Sequence, residues 1–353
     1  MKFLTSPARQ TTLHHAPAAE ISGTLTPTQL QILHEADYFN LFVPKTLGGL
    51  GLPLSEGLEI EEALAETDGS LGWTVTLCAG AAWFAGFLDP ALAKEVFSTP
   101  GVCLGGSGAA TGMAVQTDNG YQISGNWRYA TGAPHLTHFT ANCQLADASG
   151  NILLNPDGTP QISAFIFKRS EVEILPDWRA MGLVATASHS FRVADLLVGP
   201  ERAFAIDPAA ATLPDPIFQY PFLPFAAATI AVNFLGMTRR FMALAAEVLQ
   251  AKGAAQALQL QQENHKRILT TRQALYRIVA ASWENTTGST APDASLFETV
   301  NHQSAALADQ CIRTVDGIFP YCGMAGADTT TELNRVWRDL HTASQHGLLR
   351  QLL

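Results

Sequence analysis

Three polar residues near the C-terminus, Asp339, Thr342 and His346, are separated by three and then four positions. On an uninterrupted helix, residues at i, i+3 and i+7 lie along one stripe. An imidazole with an ordinary pKa of about 6.5 exchanges protons near neutral pH. The spacing therefore makes His346 a candidate for proton transfer. The alternative is a histidine that only interacts with the dipole at a helix end.

The remaining histidines and the cysteines do not form a typical metal site. His135 and His138 form a His-x-x-His pair, and His341 lies five residues before His346, which on a helix separates their rings. Because no carboxylate cluster accompanies either pair, we predict no metal. The five cysteines include no Cys-x-x-Cys pair, which indicates buried thiols in a reducing compartment.

A glycine-rich run, Gly105-Gly106-Ser107-Gly108, could surround a phosphate with its backbone amides. It lacks the Gly-Lys-Ser/Thr ending of a nucleotide-binding loop. Ala109 stands where the Gly-x-Ser-x-Gly motif of serine hydrolases requires a glycine, and that motif belongs between a parallel strand and a helix. A nucleotide-binding loop of that type and a serine hydrolase are therefore disfavoured, and the run remains a candidate for binding a phosphate.

The composition excludes several classes of protein. The 353 residues include 21 Lys and Arg against 31 Asp and Glu, for a net charge of −10, with 47% hydrophobic and 15% charged residues. A chain so apolar is not disordered. Its acidic balance argues against nucleic acid or an anionic membrane as a partner. So little charge predicts an oligomer, and the length suggests two or three domains.

Two uncharged segments, residues 71–88 and 220–238, are about long enough to cross a bilayer. Neither has flanking Lys or Arg, and both contain polar or helix-breaking residues, so we interpret them as helices buried in protein. Residues 1–21 contain no apolar stretch typical of a secretory signal. We therefore expect a cytoplasmic protein.

Helix signals dominate residues 1–100. Thr26 and Pro27 begin one predicted helix that continues to Tyr38, Ser55 caps another over residues 57–66, and Asp89 precedes a third over residues 91–97. Residues 101–218 change to the pattern of an antiparallel β domain. Its clearest signal is the hairpin turn at Asn119-Gly120, and further strands are predicted at residues 162–167, 172–175 and 190–198.

Residues 219–353 predict a bundle of four long helices, over residues 225–252, 254–283, 295–319 and 333–353. Helices, then strands, then helices is the order of an α+β protein rather than of alternating βαβ units.

Five segments carry a resemblance to a known family: FVPKTLGGLG at residues 42–51, LAETDGSLGW at 64–73, SGNWRYATGA at 124–133, MGLVATASHS at 181–190, and RVWRD at 335–339 followed by His346. In this order they resemble the acyl-CoA dehydrogenase fold family, and are most similar to its two-component flavin-dependent monooxygenases. The segment at 181–190 departs from the family pattern, because Ala185 and Ala187 replace glycines.

The resemblance implies a helical N-terminal domain, a central β domain and a C-terminal four-helix bundle, assembled as a homotetramer. A flavin would lie between the β domain and the bundle. Residues 253–259 lack the arginine with which FAD-binding members hold the adenine end. This favours FMN or reduced FMN, with FAD as the alternative.

The same resemblance assigns roles to individual residues. Thr131 falls where a hydroxyl faces the flavin N5 edge, and Tyr129 falls where an aromatic side chain flanks the ring. The other cofactor-binding candidates are Gly105, Gly106, Ser107 and Ser188. Trp83 and His135 are candidates for the substrate pocket, although the aromatic residues around Trp83 also have the spacing of a helix core.

Dehydrogenation of an acyl thioester needs a carboxylate base. The two family positions for that base read Gln345-His346-Gly347 and, at the start of the bundle, residues 221–225, and neither contains an acid. We therefore expect a monooxygenase that receives reduced flavin from a separate reductase and hydroxylates an aromatic or other apolar small molecule, with His346 handling the proton. The alternatives are a dehydrogenase whose base is Glu247 or Glu332, and a relative without enzymatic activity.

Overall fold

The computed structural model describes residues 5–288 and 293–352. Its N-terminal part consists of the helices α1 (Ser6–Ser22), α2 (Pro27–Glu35), α3 (Leu54–Thr67), α4 (Gly69–Ala82) and α5 (Pro90–Phe97). The predicted start of α2 is confirmed, because Thr26 and Gln29 form a reciprocal capping box. Helix α1 was not predicted, since it has no marked apolar face and contains Pro17.

The central part is a mixed sheet with the strand order β5-β6-β2-β1-β3-β4-β7 among the described residues. The strands are β1 (Leu104–Thr117), β2 (Gly120–Ala130), β3 (His138–Ala146), β4 (Ile162–Lys168), β5 (Glu173–Leu175), β6 (His189–Val198) and β7 (Ala203–Phe204). The predicted hairpin is confirmed, with Thr117 opposite Gly120. The prediction of a wholly antiparallel domain is wrong, because the chain crosses from β2 to the far side of β1 and β3 therefore runs parallel to β1.

The C-terminal part contains the long helices α6 (Phe222–Ala251), α7 (Ala255–Thr287) and α8 (Ala294–Cys322), followed by α9 (Met324–Ala327), α10 (Glu332–Ala343) and α11 (Gly347–Gln351). The last predicted helix, residues 333–353, is therefore interrupted after α10, and Leu353 lies outside the described residues. Because the helix stops before His346, the predicted stripe of Asp339, Thr342 and His346 does not form.

The two uncharged segments are core helices. Gly69–Phe87 and Phe222–Ala251 are long and apolar enough to cross a membrane, but 83% of each apolar window is buried inside the protein. Glycines allow these helices to approach α3 closely. A Cβ on Gly72 would lie 2.5 Å from the Ala65 backbone, and one on Gly236 would lie 2.4 Å from the Glu62 carbonyl oxygen. All five cysteines are buried and free, as predicted.

Candidate active site

A cavity of about 360 Å³ lies where the three parts of the chain meet. Its size is in the usual range for small-molecule sites. Helices α4 and α6 supply one side, the sheet supplies the other, and the segment leading into α11 closes one end. The residues that line it include Thr76, Gly80, Gly105, Gly106, Ser107, Gly108, Thr131, Asn142, Phe222, Phe225, Thr229 and His346.

The sheet side of the cavity is polar because β1 bulges there. The pairing of β1 with β3 shifts register between Ser107 and Gly112, so several residues of β1 oppose a single residue of β3. The side chain of that residue, Asn142, donates to the Gly108 carbonyl oxygen at 2.8 Å. A Cβ on Gly108 would meet nothing within 4 Å. The predicted cofactor-binding residues Gly105, Gly106 and Ser107 thus form one wall of the cavity.

Thr131 follows the end of β2 and begins a chain of buried hydroxyl groups. Its Oγ1 lies 3.0 Å from Ser188 Oγ, which in turn lies 2.7 Å from Thr186 Oγ1. Thr186 donates to the Leu183 carbonyl oxygen at 2.8 Å. Two predicted residues, Thr131 and Ser188, are therefore in direct contact, and Ser188 orients the hydroxyl that reaches the cavity.

The loop carrying Ser188 is held in a strained conformation. Leu183 and Ala187 have positive φ angles of 50° and 44°, a region that side chains disfavour. The Leu183 amide donates to Asp339 Oδ1 at 2.5 Å, and the Leu183 carbonyl oxygen accepts from Trp178 Nε1 at 3.0 Å. Arg338 donates to the Met181 carbonyl oxygen at 2.6 Å. Helix α10 thus holds the loop in which Ala187, in place of a family glycine, has a positive φ.

Asp339 acts on this loop and not on His346. Burial and, to a smaller extent, the nearby carboxylate of Asp68 raise the pKa of Asp339 to about 7, while the hydrogen bond from the Leu183 amide opposes the shift. Arg335 Nε lies 3.7 Å from Asp68 Oδ2. The expected alignment of Asp339 with His346 is thus corrected, since the carboxyl group faces the loop that positions Ser188.

His346 lines the cavity from the segment between α10 and α11. Its Nδ1 accepts a hydrogen bond from the Leu348 amide at 3.4 Å, and its ring lies edge-on to Trp73 with centroids 5.7 Å apart. Burial lowers the pKa of His346 below its ordinary value, so the imidazole is neutral at neutral pH. Because Nδ1 is the acceptor, the proton of the neutral ring is assigned to Nε2.

Residues 228–351 match the family model of the acyl-CoA dehydrogenase C-terminal domain. The C-terminal part of the chain therefore carries an acyl-CoA dehydrogenase C-terminal domain, and the fold is acyl-CoA dehydrogenase-like. The chain is 26% identical over 354 residues to the flavin-dependent monooxygenase oxygenase subunit HsaA of Mycobacterium tuberculosis, covering 94% of this chain and 87% of HsaA.

Two solved structures show the same fold. XiaF from Streptomyces sp., in complex with FADH2 and glycerol, has a TM-score of 0.88 and 21% identity, covering 98% of this chain and 91% of XiaF. TdsC from Paenibacillus sp., in complex with FMN and indole, has a TM-score of 0.78 and 17% identity, covering 98% of this chain and 93% of TdsC.

The side chains and backbone groups that line the cavity fit the chemistry of a flavin ring. The ring is flat and apolar with polar edges, and here apolar helices face a sheet wall of backbone amides and hydroxyls. Gly105, Gly106, Ser107 and Thr131 would hold its polar edge. Helix α4 also leaves space, because a Cβ on Gly80 would meet nothing within 4 Å.

Three of the predicted site residues do not line this cavity. Tyr129 is 61% exposed, has a φ of 69°, and contacts Trp178. Trp83 is fully buried and stacks behind Phe222 and Phe225, which do line the cavity. His135 Nε2 lies 2.8 Å from Thr24 Oγ1, and burial lowers the pKa of His135 to about 4.

The sequence interpretation missed the lining residues on α4 and α6, among them Thr76, Gly80 and Thr229. These residues lie within uniformly apolar helices, where no period distinguishes the face that meets the cavity. Among the residues described, no carboxylate lines it. Glu332 is paired with Arg240 at 2.6 Å and Glu247 is exposed, so neither candidate base for a dehydrogenase is in place.

Proposed function

We propose that this chain is the oxygenase component of a two-component flavin-dependent monooxygenase that hydroxylates an aromatic small molecule. The observation that carries the proposal is that Thr131 and His346 line one cavity in which, over the described residues, no carboxylate is present. Named relatives of this chain are flavin-dependent monooxygenases. A cavity without a carboxylate base favours that chemistry over the α-proton removal of an acyl-CoA dehydrogenase.

Reduced flavin, when bound, supplies the electrons with which oxygen is activated for transfer to the substrate. The protein contributes positioning and protection from water. Thr131, oriented by Ser188, places a hydroxyl at the polar edge of the site, and the bulge of β1 presents backbone groups beside it. His346 holds its proton on Nε2, because Nδ1 accepts the hydrogen bond from the Leu348 amide.

The apolar walls of the cavity favour a hydrophobic, flat substrate. Phe222 and Phe225 line the cavity from α6, and Phe225 stacks on Trp83 with ring centroids 4.9 Å apart. Such a wall excludes water and contacts aromatic faces. The indole seen in TdsC is a molecule of this kind.

The proposal also covers the source and type of the flavin, the oligomeric state and the cellular location of the protein. The relatives are oxygenase components, so a separate reductase supplies the reduced flavin. The missing arginine at residues 253–259 favours FMN, although XiaF holds FADH2. A homotetramer, the assembly that the resemblance to this fold family implies, is part of the proposal. Five free buried cysteines support a cytoplasmic location.

To test this proposal, the purified protein is mixed in air with chemically reduced FMN or FAD and with each member of a panel of phenols and indoles. Hydroxylated product and hydrogen peroxide are quantified by chromatography and a peroxidase assay. The proposal expects product with at least one aromatic compound and peroxide as the by-product. Peroxide without product across the panel, combined with reduction of bound oxidised flavin by acyl-CoA thioesters under anaerobic conditions, would favour the dehydrogenase instead.

A further inference from the structure

The bulge of β1 lies outside the pairing of the sheet. Residues 104–107 and 112–115 of β1 pair with β3, and residues 113–117 pair with β2, so residues 108–111 pair with neither of these described strands. The first three of these four residues are Gly108, Ala109 and Ala110, which have no side chain longer than a methyl group. Small residues pack weakly, and glycine loses much conformational freedom when it is ordered. Other contacts must therefore hold this part of the cavity wall.

Two side chains of β3 supply such contacts. Positions 142 and 144 are two residues apart on a strand, so their side chains lie on the same face of the sheet. Asn142 Nδ2 donates to the Gly108 carbonyl oxygen at 2.8 Å, and Gln144 Nε2 donates to the Ala110 carbonyl oxygen at 3.3 Å. The bond from Asn142 is the shorter one, and Asn142 lies directly opposite the segment that the pairing skips.

The backbone of Asn142 is itself held from two sides. Trp127 on β2 is fully buried, and its Nε1 donates to the Asn142 carbonyl oxygen at 2.9 Å. The indole ring cannot shift toward β1, because it fills the place where a Cβ on Gly112 would lie, 2.1 Å from the ring. On its other side, Asn142 pairs with Ala164 of β4. The side chain of Asn142 therefore reaches the bulge from a rigid position.

The bond between Asn142 and Gly108 fixes a direction and does not rescue a buried group. Gly108 is exposed and Asn142 is half-buried, so a water molecule can bond to the Gly108 carbonyl oxygen when Asn142 does not. Both residues line the cavity. A peptide unit has a donor on one side and an acceptor on the other. Rotation of the Gly108 peptide would therefore change which backbone groups face a ligand.

We propose that Asn142 is a positioning residue for the flavin, which acts through the Gly108 carbonyl group and keeps the β1 bulge in the conformation that borders the cofactor. This inference rests on the proposed function, because it concerns the cofactor of that reaction. The partner of Asn142 is a backbone group of the protein, so its role is distinct from those of Thr131 and His346.

The test measures flavin affinity and the mobility of the bulge without turnover. Asn142→Leu keeps the size of the side chain and removes its donor, and Asn142→Ala removes the side chain beyond Cβ. Both should raise the Kd for dithionite-reduced FMN or FAD, whichever wild type binds more tightly, about threefold to tenfold. Ultrafiltration under nitrogen measures this Kd. In the flavin-free variants, the backbone amides of residues 105–112 should exchange hydrogen for deuterium faster than in wild type.

Matched substitutions on the neighbouring strand are the control. Asn126 on β2 is exposed and does not line the cavity, so Asn126→Leu and Asn126→Ala should keep the wild-type Kd and exchange rates. Asn142→Gln retains an amide donor on a longer side chain and should lose less affinity than Asn142→Leu. Circular dichroism confirms folding of each variant, and Asn142→Ala decides the matter if Asn142→Leu does not fold. A purely structural role would lower stability in urea and leave the Kd unchanged.

The proposal is overturned if both Asn142 variants bind reduced flavin as tightly as wild type, if the bulge exchanges at the wild-type rate, or if wild type binds neither flavin. Hydroxylated product from wild type, together with an unchanged Kd in the Asn142 variants, would leave the monooxygenase in place. Conversely, weaker flavin binding by the Asn142 variants of a protein that forms no hydroxylated product would leave the positioning role in place and remove the proposed function.

Discussion

The hydroxyl of Thr131 and the imidazole of His346 line one cavity although they belong to different parts of the fold. Thr131 follows a strand of the central sheet, whereas His346 lies between the last two helices. The proposed monooxygenase activity depends on this convergence of Thr131 and His346.

Removal of the Thr131 hydroxyl should uncouple the reaction. Thr131→Val keeps the side-chain volume but removes the hydroxyl at the polar edge of the site, so we expect the yield of hydroxylated product per reduced flavin to fall about tenfold or more. Ser188→Ala should cause a smaller loss, because the hydroxyl remains but loses its partner at 3.0 Å. Equal yields in all three proteins would show that the hydroxyl chain has no part in the chemistry.

Filling the space beside Gly80 should block the site. Gly80→Leu places a branched side chain where a Cβ meets nothing within 4 Å, so the Kd for flavin or for an aromatic ligand should rise about tenfold or more. Gly317→Leu is the matched control, because Gly317 lies in α8, is also open, and does not line the cavity. Fluorescence titration measures both. Unchanged binding by the Gly80 variant would place the ligands elsewhere.

The stability difference between wild type and Asp339→Asn should depend on pH. Burial raises the pKa of Asp339 to about 7 in the folded protein, so its protonated form adds stability that is fully present below the unfolded-state pKa of about 3.9. This contribution is lost as the pH rises toward 7, at up to about 1.4 kcal/mol per pH unit. Asparagine keeps an acceptor for the Leu183 amide and does not titrate.

Urea unfolding of both proteins between pH 5 and pH 8 measures this difference. Asp339→Asn should become the relatively more stable protein as the pH rises, and the difference should level off above pH 7. Asp339→Ala is the comparison that removes the acceptor, and it should be less stable by about 1–3 kcal/mol. A difference that does not change with pH would mean that Asp339 has an ordinary pKa.

The yield of hydroxylated product should be nearly constant between pH 8 and pH 6.5. Burial lowers the pKa of His346 from its ordinary value, so the neutral imidazole predominates over this range and the ring becomes charged at lower pH. Product and hydrogen peroxide are measured across the pH series at saturating reduced flavin. A midpoint at or above pH 7 would indicate that His346 is not the buried neutral group described.

Local signals in the sequence predicted much of the fold. The capping pair Thr26 and Gln29 and the turn at Asn119-Gly120 depend on neighbouring residues, so spacing alone identifies them. The parallel pairing of β1 and β3 depends on where the chain crosses the sheet, which no short pattern encodes. The end of α10 before His346 was missed because the helical pattern was extended through Gly347.

The site was predictable in part for the same reason. Thr131, Ser188 and His346 fall within motifs, and the structure places all three at or beside the cavity. Glu61 and Glu62 are adjacent and chemically identical, yet one is paired with arginines and the other is isolated. That difference depends on which helices pack against α3, and the sequence alone does not specify it.

The product yield of His346→Ala shows whether the imidazole in the cavity takes part in hydroxylation. Wild type, His346→Ala and His341→Ala are each given reduced flavin in air with an accepted aromatic substrate, and product is measured against hydrogen peroxide. His341 is the control, because it pairs with Asp316 at 2.9 Å and does not line the cavity. We predict that His346→Ala loses about 99% of its product and releases peroxide instead, while His341→Ala resembles wild type. Wild-type product yield in His346→Ala would contradict the account.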